Sequence, residues 1–169
     1  MRRKLLAGIV ALPFLAAPFS PALAQQQSDQ EFMKWLQSPA NDYAGKMNAH
    51  DEAKVAALYT DDAVQVTPMA FVSGKAAIEK NLAMAIKNNV RDFAVTFHEA
   101  HVVNADTAWA TGTWANSVSP NGQDLHLKGY WACIYRLEGD VWKVRLLSSH
   151  VTPPPKPTTN EHVVRGGSQ

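Results

Sequence analysis

Four groups of side chains in this sequence are of the kind that move protons or polarise oxygens. Tyr43 carries a phenol, which donates a strong hydrogen bond and can sit in an apolar pocket. His50-Asp51 sets an imidazole beside a carboxylate. His98-Glu99-Ala100-His101 places two imidazoles and a carboxylate within four positions, and His150 closes a late apolar run. Imidazole and carboxylate are the usual general acids and bases near neutral pH. The histidine spacing looks like a metal motif, but residues three apart on a strand face opposite sides. A zinc site would need a helix or further ligands, so no metal is expected. Nothing in the sequence points to a nucleotide, flavin or haem, and no cofactor is expected.

These residues need elements to position them. Ser28 and Asp29 are suited to cap a first helix that carries Phe32, Trp35 and Leu36 at helical spacing. Pro39 restarts the chain into a second helix, Ala40 to Ala49, with Tyr43, Ala44 and Met47 on one stripe. Asp51 caps a helix over Glu52 to Tyr59, which accounts for the His50-Asp51 pair without chemistry. Asp61-Asp62 reads as the turn that ends it, and Val64 and Val66 alternate as a short strand. Ser73-Gly74 leads into an amphipathic helix from Lys75 to about Asn88, with Ile78, Leu82, Ala85 and Ile86 inward.

Beyond Asn88-Asn89 the apolar period becomes two. Four strands follow, at about 92–103, 107–117, 125–137 and 141–149, separated by short turns. They form an antiparallel meander, and helices followed by strands make an α+β fold. Phe93, Val95 and Phe97 mark the inner face of the first strand, which puts Glu99 and His101 on the pocket side as an acid/base pair. Trp131, Cys133 and Tyr135 face the pocket from the third. On the fourth, Trp142, Val144 and Leu146 share one side and lead to His150 at the pocket mouth. Five tryptophans in this length suit a flat apolar or aromatic ligand. The other sheet face carries Tyr130, Ile134 and Leu147 beside Lys128, Arg136, Lys143 and Arg145, a mixture that fits a homodimer contact.

The Asn48-Ala49-His50-Asp51 helix entry, Leu58-Tyr59-Thr60-Asp61-Asp62-Ala63, and Ser73-Gly74-Lys75 with Ile78 occur in a telling order. Over residues 42–150 this resembles the nuclear transport factor 2-like superfamily, and within it the ketosteroid isomerase / SnoaL-like group of small bacterial proteins. The resemblance implies a cone-shaped fold in which helices pack on a curved, mainly antiparallel sheet around one pocket. It implies that Tyr43 stands where the isomerases carry the tyrosine that hydrogen-bonds an oxyanion. It also implies an Asp base before Pro68 and a second acidic donor near position 133. This chain has Thr67 and Cys133 there, and neither replaces a carboxyl group. Thr67, with Met69 and Phe71 beyond the proline, is read instead as a ligand contact at the pocket mouth, together with Phe97, Trp131, Cys133 and Tyr135.

The ends complete the organisation. Arg2-Arg3-Lys4, an apolar run from Leu5 to Phe19, and Ala22-Leu23-Ala24 have the three parts of a secretory signal peptide, residues 1–24. Pro13 and Pro18 interrupt the run, and a membrane span needs about 20 apolar residues. Residues 25–152 form one domain, and the proline- and glycine-rich 153–169 a disordered tail. With 16 Lys and Arg against 15 Asp and Glu there is no basic field for nucleic acid. One cysteine excludes an intrachain disulfide. Two functions fit: a cofactor-free isomerase, dehydratase or cyclase acting on a small apolar or aromatic compound, and a noncatalytic periplasmic binding or interaction module. Expressed with its leader in a Gram-negative host, the protein is expected in the periplasm with Gln25 as its first residue. Intact-mass spectrometry of the periplasmic fraction checks this.

Overall fold

The computed structural model describes residues 21–153. The apolar run of the leader and the tail beyond Pro153 lie outside the described residues. Helix α1 spans Pro21–Leu36 and a 3-10 turn spans Pro39–Asn41. Two short helices follow, α2 (Tyr43–Asn48) and α3 (Glu52–Ala56). Asp42 caps α2 by accepting from the Gly45 amide at 2.8 Å, and Asp51 caps α3 through the Lys54 amide at 3.0 Å. Strands β1 (Tyr59–Val66) and β2 (Phe71–Ser73) precede α4 (Lys75–Lys87). The meander then runs β3 (Arg91–Asn104), β4 (Thr107–Val118), β5 (Leu125–Glu138) and β6 (Val141–Val151).

All six strands join one sheet in the order β2-β1-β6-β5-β4-β3. Every pairing is antiparallel except β1 with β6, so the sheet is mixed. This pairing explains where the sequence expectation fails. The chain leaves α3 at Ala56, three residues before the expected end, because Leu58 and Tyr59 are drawn onto β6. The Val144 amide donates to the Leu58 carbonyl at 2.8 Å, and Tyr59 lies opposite Val144. Asp61 and Asp62, expected as a turn, fall inside β1 where its register shifts. Asp61 pairs with Lys75 at 2.5 Å and Asp62 with Arg145 at 3.2 Å.

The core lies between α1, α3, α4 and the inner sheet face. Tyr59, Val55 and Ile78 are sealed from solvent, and Phe32, Leu36 and Leu82 are nearly so. Phe32 packs edge-on against Tyr135 at 5.3 Å and lies 5.1 Å from Trp142. Burying side chains of this size stabilises by about 1.5–3 kcal/mol each.

Asp29 does not cap α1, which begins eight residues earlier. It reaches instead to the sheet's free edge. Its carboxylate accepts from the Val102 amide at 2.7 Å and lies 3.1 Å from His101 Nδ1. Gln25 donates to Asp29 at 2.9 Å and to the Val102 carbonyl at 2.8 Å. One turn of helix thus satisfies backbone groups that an edge strand leaves open. Burial pushes the Asp29 pKa up, but the bonds from Val102, His101 and Gln25 outweigh it and hold the carboxyl below its ordinary value. A carboxyl lowered in the fold stabilises above its unfolded pKa of about 4, and that stability is lost as pH falls through the folded value. Replacing Asp29 with Ala is expected to cost about 1–2 kcal/mol at neutral pH. Urea midpoints of the two proteins should converge as the solution is acidified.

Candidate functional site

A cleft of about 260 Å³ opens between the α1–α2 connection and β3. Leu36, Asn41, Asp42 and Tyr43 line one wall, and Val95 and Phe97 the other. The Asn41 amide donates to the Leu36 carbonyl at 3.0 Å, which fixes the connection. Phe97 stands edge-on to Trp131 at 5.5 Å. Gly112 makes that arrangement possible: a Cβ there would meet the Trp131 ring at 2.7 Å. Tyr43 stacks at a tilt on Phe93 at 5.6 Å. The cleft walls are therefore aromatic and aliphatic, with amide, carboxylate and phenol groups from the 41–43 segment.

Behind Tyr43 lies a buried polar set. Tyr59 is sealed in the core next to Tyr43. Gln65 Nε2 donates to the Tyr59 oxygen at 3.2 Å, and Asn81 Nδ2 on α4 donates to Gln65 Oε1 at 2.8 Å. Cys133 and Tyr135 are buried beside them on β5. Burial pushes the Tyr43 pKa up to about 12, with the neighbouring Tyr59 hydroxyl opposing it and Cys133 adding to it. Burial likewise raises Cys133 to about 12, and raises Tyr59 and Tyr135 well above the ordinary phenol value. All four groups stay neutral at physiological pH. A neutral buried phenol offers a hydrogen bond and does not act as a base.

Of the residues expected at the site, Tyr43 and Phe97 line the cleft, Trp131 backs it, and Cys133 and Tyr135 lie deeper in the core. The acid/base pair is elsewhere. His98 is an extra residue in β3: Phe97 pairs with Gly112 and Glu99 with Thr111. This bulge inverts the alternation, so Ala100 turns inward while Glu99 and His101 face solvent. His101 is spent on Asp29 and packs on Trp109 at 4.6 Å. A second register shift in β6 has the same effect on His150. Tyr135 pairs with Val144 but Ile134 with Leu146, so Leu147 turns inward, and Leu146, Ser148 and His150 turn outward. His150 pairs across from exposed Tyr130 on the outer sheet face, away from the cleft.

The pocket-mouth expectation also changes. Thr67 Oγ1 accepts from the Ala70 amide at 3.1 Å and the Met69 amide at 3.3 Å, closing the turn between β1 and β2. Met69 is 92 % exposed and Phe71 73 % exposed at the sheet's far edge, so neither lines the cleft. Sequence reasoning passed over Asn41, Asp42, Tyr59, Gln65 and Asn81. Gln65 stands between Val64 and Val66, whose alternation reads as a short strand, and it is Gln65 that is buried, 3 % exposed. No periodicity signals a buried amide; a polar residue in an apolar run at tyrosine-reaching distance is the only trace.

Residues 40–144 match the SnoaL-like domain family, and the chain belongs to it. The fold is the nuclear-transport-factor-2-like, or cystatin-like, α+β cone. A ketosteroid isomerase-like protein from Erwinia carotovora atroseptica is 20 % identical with a TM-score of 0.66, covering 73 % of this chain and 98 % of that one. A candidate scytalone dehydratase from Novosphingobium aromaticivorans is 16 % identical at 0.65, over 76 % and 89 % of the two chains. A candidate dehydratase of the same superfamily from Streptomyces avermitilis is 15 % identical at 0.60, over 75 % and 99 %. Among curated proteins, none matches this sequence.

Thiol chemistry gives a direct check of the buried set. A thiol is nucleophilic as its thiolate, and burial holds Cys133 protonated. Native protein is expected to resist iodoacetamide at mildly alkaline pH and to be labelled at Cys133 once unfolded in urea. Mass spectrometry of the alkylated chain reads both states.

Proposed function

We propose that this chain is an exported SnoaL-like protein that takes a small apolar or aromatic compound into the cleft beside Tyr43. Its activity would be isomerisation, dehydration or cyclisation without a cofactor, with Tyr43 polarising an oxygen of the substrate. The observation that carries this reading is the phenol of Tyr43, held neutral by burial in a cleft walled by Leu36, Val95 and Phe97. A donor in a site of low polarity is worth more to a developing oxyanion than the same donor in water. The volume of about 260 Å³ lies just under the usual range for ligand sites, which fits one or two small rings. Proton transfer then falls to Asp42, the carboxylate on the same wall, since Glu99, His101 and His150 all stand outside.

A second reading has one specific observation in its favour. Asp42 already accepts the Gly45 amide as a helix cap, and Thr67 is committed to its turn. A cleft with a donor and no free base binds without turning over, as a periplasmic ligand-binding or interaction module would. In either case the pairing of subunits would use the outer sheet face. Tyr130 is 58 % exposed there, near Ile134 and Leu146, with Arg136 and Arg145 around them.

Replacing Tyr43 with Phe separates the readings from chance contact. The variant should fold normally and lose about tenfold in affinity for compounds with a carbonyl oxygen, one neutral hydrogen bond's worth. Turnover of such a compound by the wild type, lost in the variant, establishes the enzyme. Binding without turnover establishes the module. Equal affinity of both proteins for carbonyl compounds removes Tyr43 from the site.

A further inference from the structure

Strand β3 is a free edge of the sheet, and at two places along it side chains stand where a neighbouring strand would. At Phe93 one amide does both jobs: Asn48 Nδ2 donates to the Phe93 carbonyl at 2.9 Å, and Asn48 Oδ1 accepts from the Phe93 amide at 2.7 Å. At Val102 the jobs are divided between Gln25, which donates to the carbonyl, and Asp29, which accepts from the amide. A single planar amide with its oxygen and its NH₂ on one side is thus enough to satisfy both edge groups of one residue.

Val95 lies between these two places and has no such stand-in among the described residues. The ladders fix which way its groups point. In an antiparallel pair a residue gives both N–H and C=O to one neighbour, and the next residue gives both to the other side. The Thr152 amide donates to the Lys128 carbonyl at 2.8 Å, so Lys128 turns to β6 and Gly129 to β4. Gly129 lies opposite Trp114, whose backbone groups are therefore spent on β5. Val95 lies opposite Trp114 on the other side and receives none of them. Its N–H and C=O point outward from the edge, as those of Phe93 do two residues earlier. Open backbone groups on an edge strand are a template for pairing. Val95 also lines the cleft that separates β3 from the α1–α2 connection. The next edge-facing residue, Phe97, begins the bulge, where the ladder is irregular.

We infer that the backbone of Val95 is the specificity-determining group of the cleft, and that the ligand is a primary amide or a lactam on a small apolar ring. The inference rests on the proposed ligand cleft and names its ligand class. In both kinds of compound the C=O and N–H lie on one side, as those of Asn48 do. The ligand oxygen accepts from the Val95 N–H, and the ligand N–H donates to the Val95 carbonyl, while Leu36 and Phe97 hold the ring. A trans secondary amide points its two groups apart and can use only one of them. A ketone offers the acceptor alone and leaves the Val95 carbonyl unpaired, and an unpaired group in the complex is what discriminates between such ligands.

Calorimetric titration compares oxindole, a lactam, with 1-indanone, which keeps the ring size and the acceptor oxygen and lacks the N–H. Wild type is expected to prefer oxindole by about tenfold, one neutral hydrogen bond. Val95→Pro removes the other half of the pair. At a position facing the free edge, proline costs no ladder bond, and the variant should bind oxindole about tenfold more weakly. Amide hydrogen exchange of the wild type, read by NMR, decides the matter even where that variant does not fold. In the free protein the Val95 amide should exchange far faster than the ladder amides of Ala94 and Thr96, and saturating oxindole should slow it. Equal affinity for oxindole and 1-indanone, or a Val95 amide whose exchange oxindole leaves unchanged, overturns the inference; 1-indanone binding that depends on Tyr43 would then leave the cleft reading standing. Wild type that binds neither compound overturns the cleft reading and the ligand class with it.

Discussion

The pairing of β1 with β6 is the contact on which the rest of the molecule depends. It joins strands separated by most of the domain, and it is the one parallel pairing in the sheet. Without it, β1, β2 and α4 would have only each other and the short helices to pack on. With it, Tyr59 and Gln65 are carried onto the inner face, within reach of Cys133 and Tyr135 from β5. Non-local pairings of this kind incur a large chain entropy before they return any contact energy. That cost is offset by the core cluster in which Val55, Tyr59, Ala63 and Ile78 are buried together with Tyr135 and Val144 from the last two strands.

Two single-residue irregularities then decide what the sheet offers to the cleft. Side chains alternate with a period of two, so one extra residue sends everything beyond it to the opposite face. The bulge at His98 turns Glu99 and His101 out and Ala100 in; the shift near Arg145 does the same to His150. Both strands begin on the expected phase and end on the other. The inner face is apolar and tyrosine-rich as a result, and the ionisable groups sit on the rim or the outer face. The polar groups that line the cleft come from the 37–43 segment.

The polar interior has its own logic. Behind Tyr43, Gln65 is bonded to the Tyr59 hydroxyl at one end and to Asn81 on α4 at the other. A buried amide is tolerated in a core when both its ends are paired; an unpaired one would cost more than an apolar replacement. Asp29 does similar service at the sheet's free edge, where a helix side chain and Gln25 occupy backbone groups of Val102.

Much of the architecture was legible in the sequence because it follows from local rules. The caps at Asp51, the inner stripe of α4 at Ile78 and Leu82, and the four-strand meander come from side-chain capping and from periods of 3.6 and two. The order of these elements was enough to mark the family, and two of the candidates it suggested, Tyr43 by the resemblance and Phe97 by strand phase, line the cleft. Tertiary structure decided the rest. Asp29 looked like a cap because nothing local distinguishes a carboxylate bonding its own helix from one bonding a strand 73 residues away. Asp61-Asp62 looked like a turn because the partner that makes it a strand lies in β6. Glu99, His101 and His150 were assigned by an alternation that holds only until a bulge, and bulges are set by pairing with a neighbour. Gln65 looked like the polar side of a strand; its burial depends on Tyr59 and Asn81, which only the folded chain brings together.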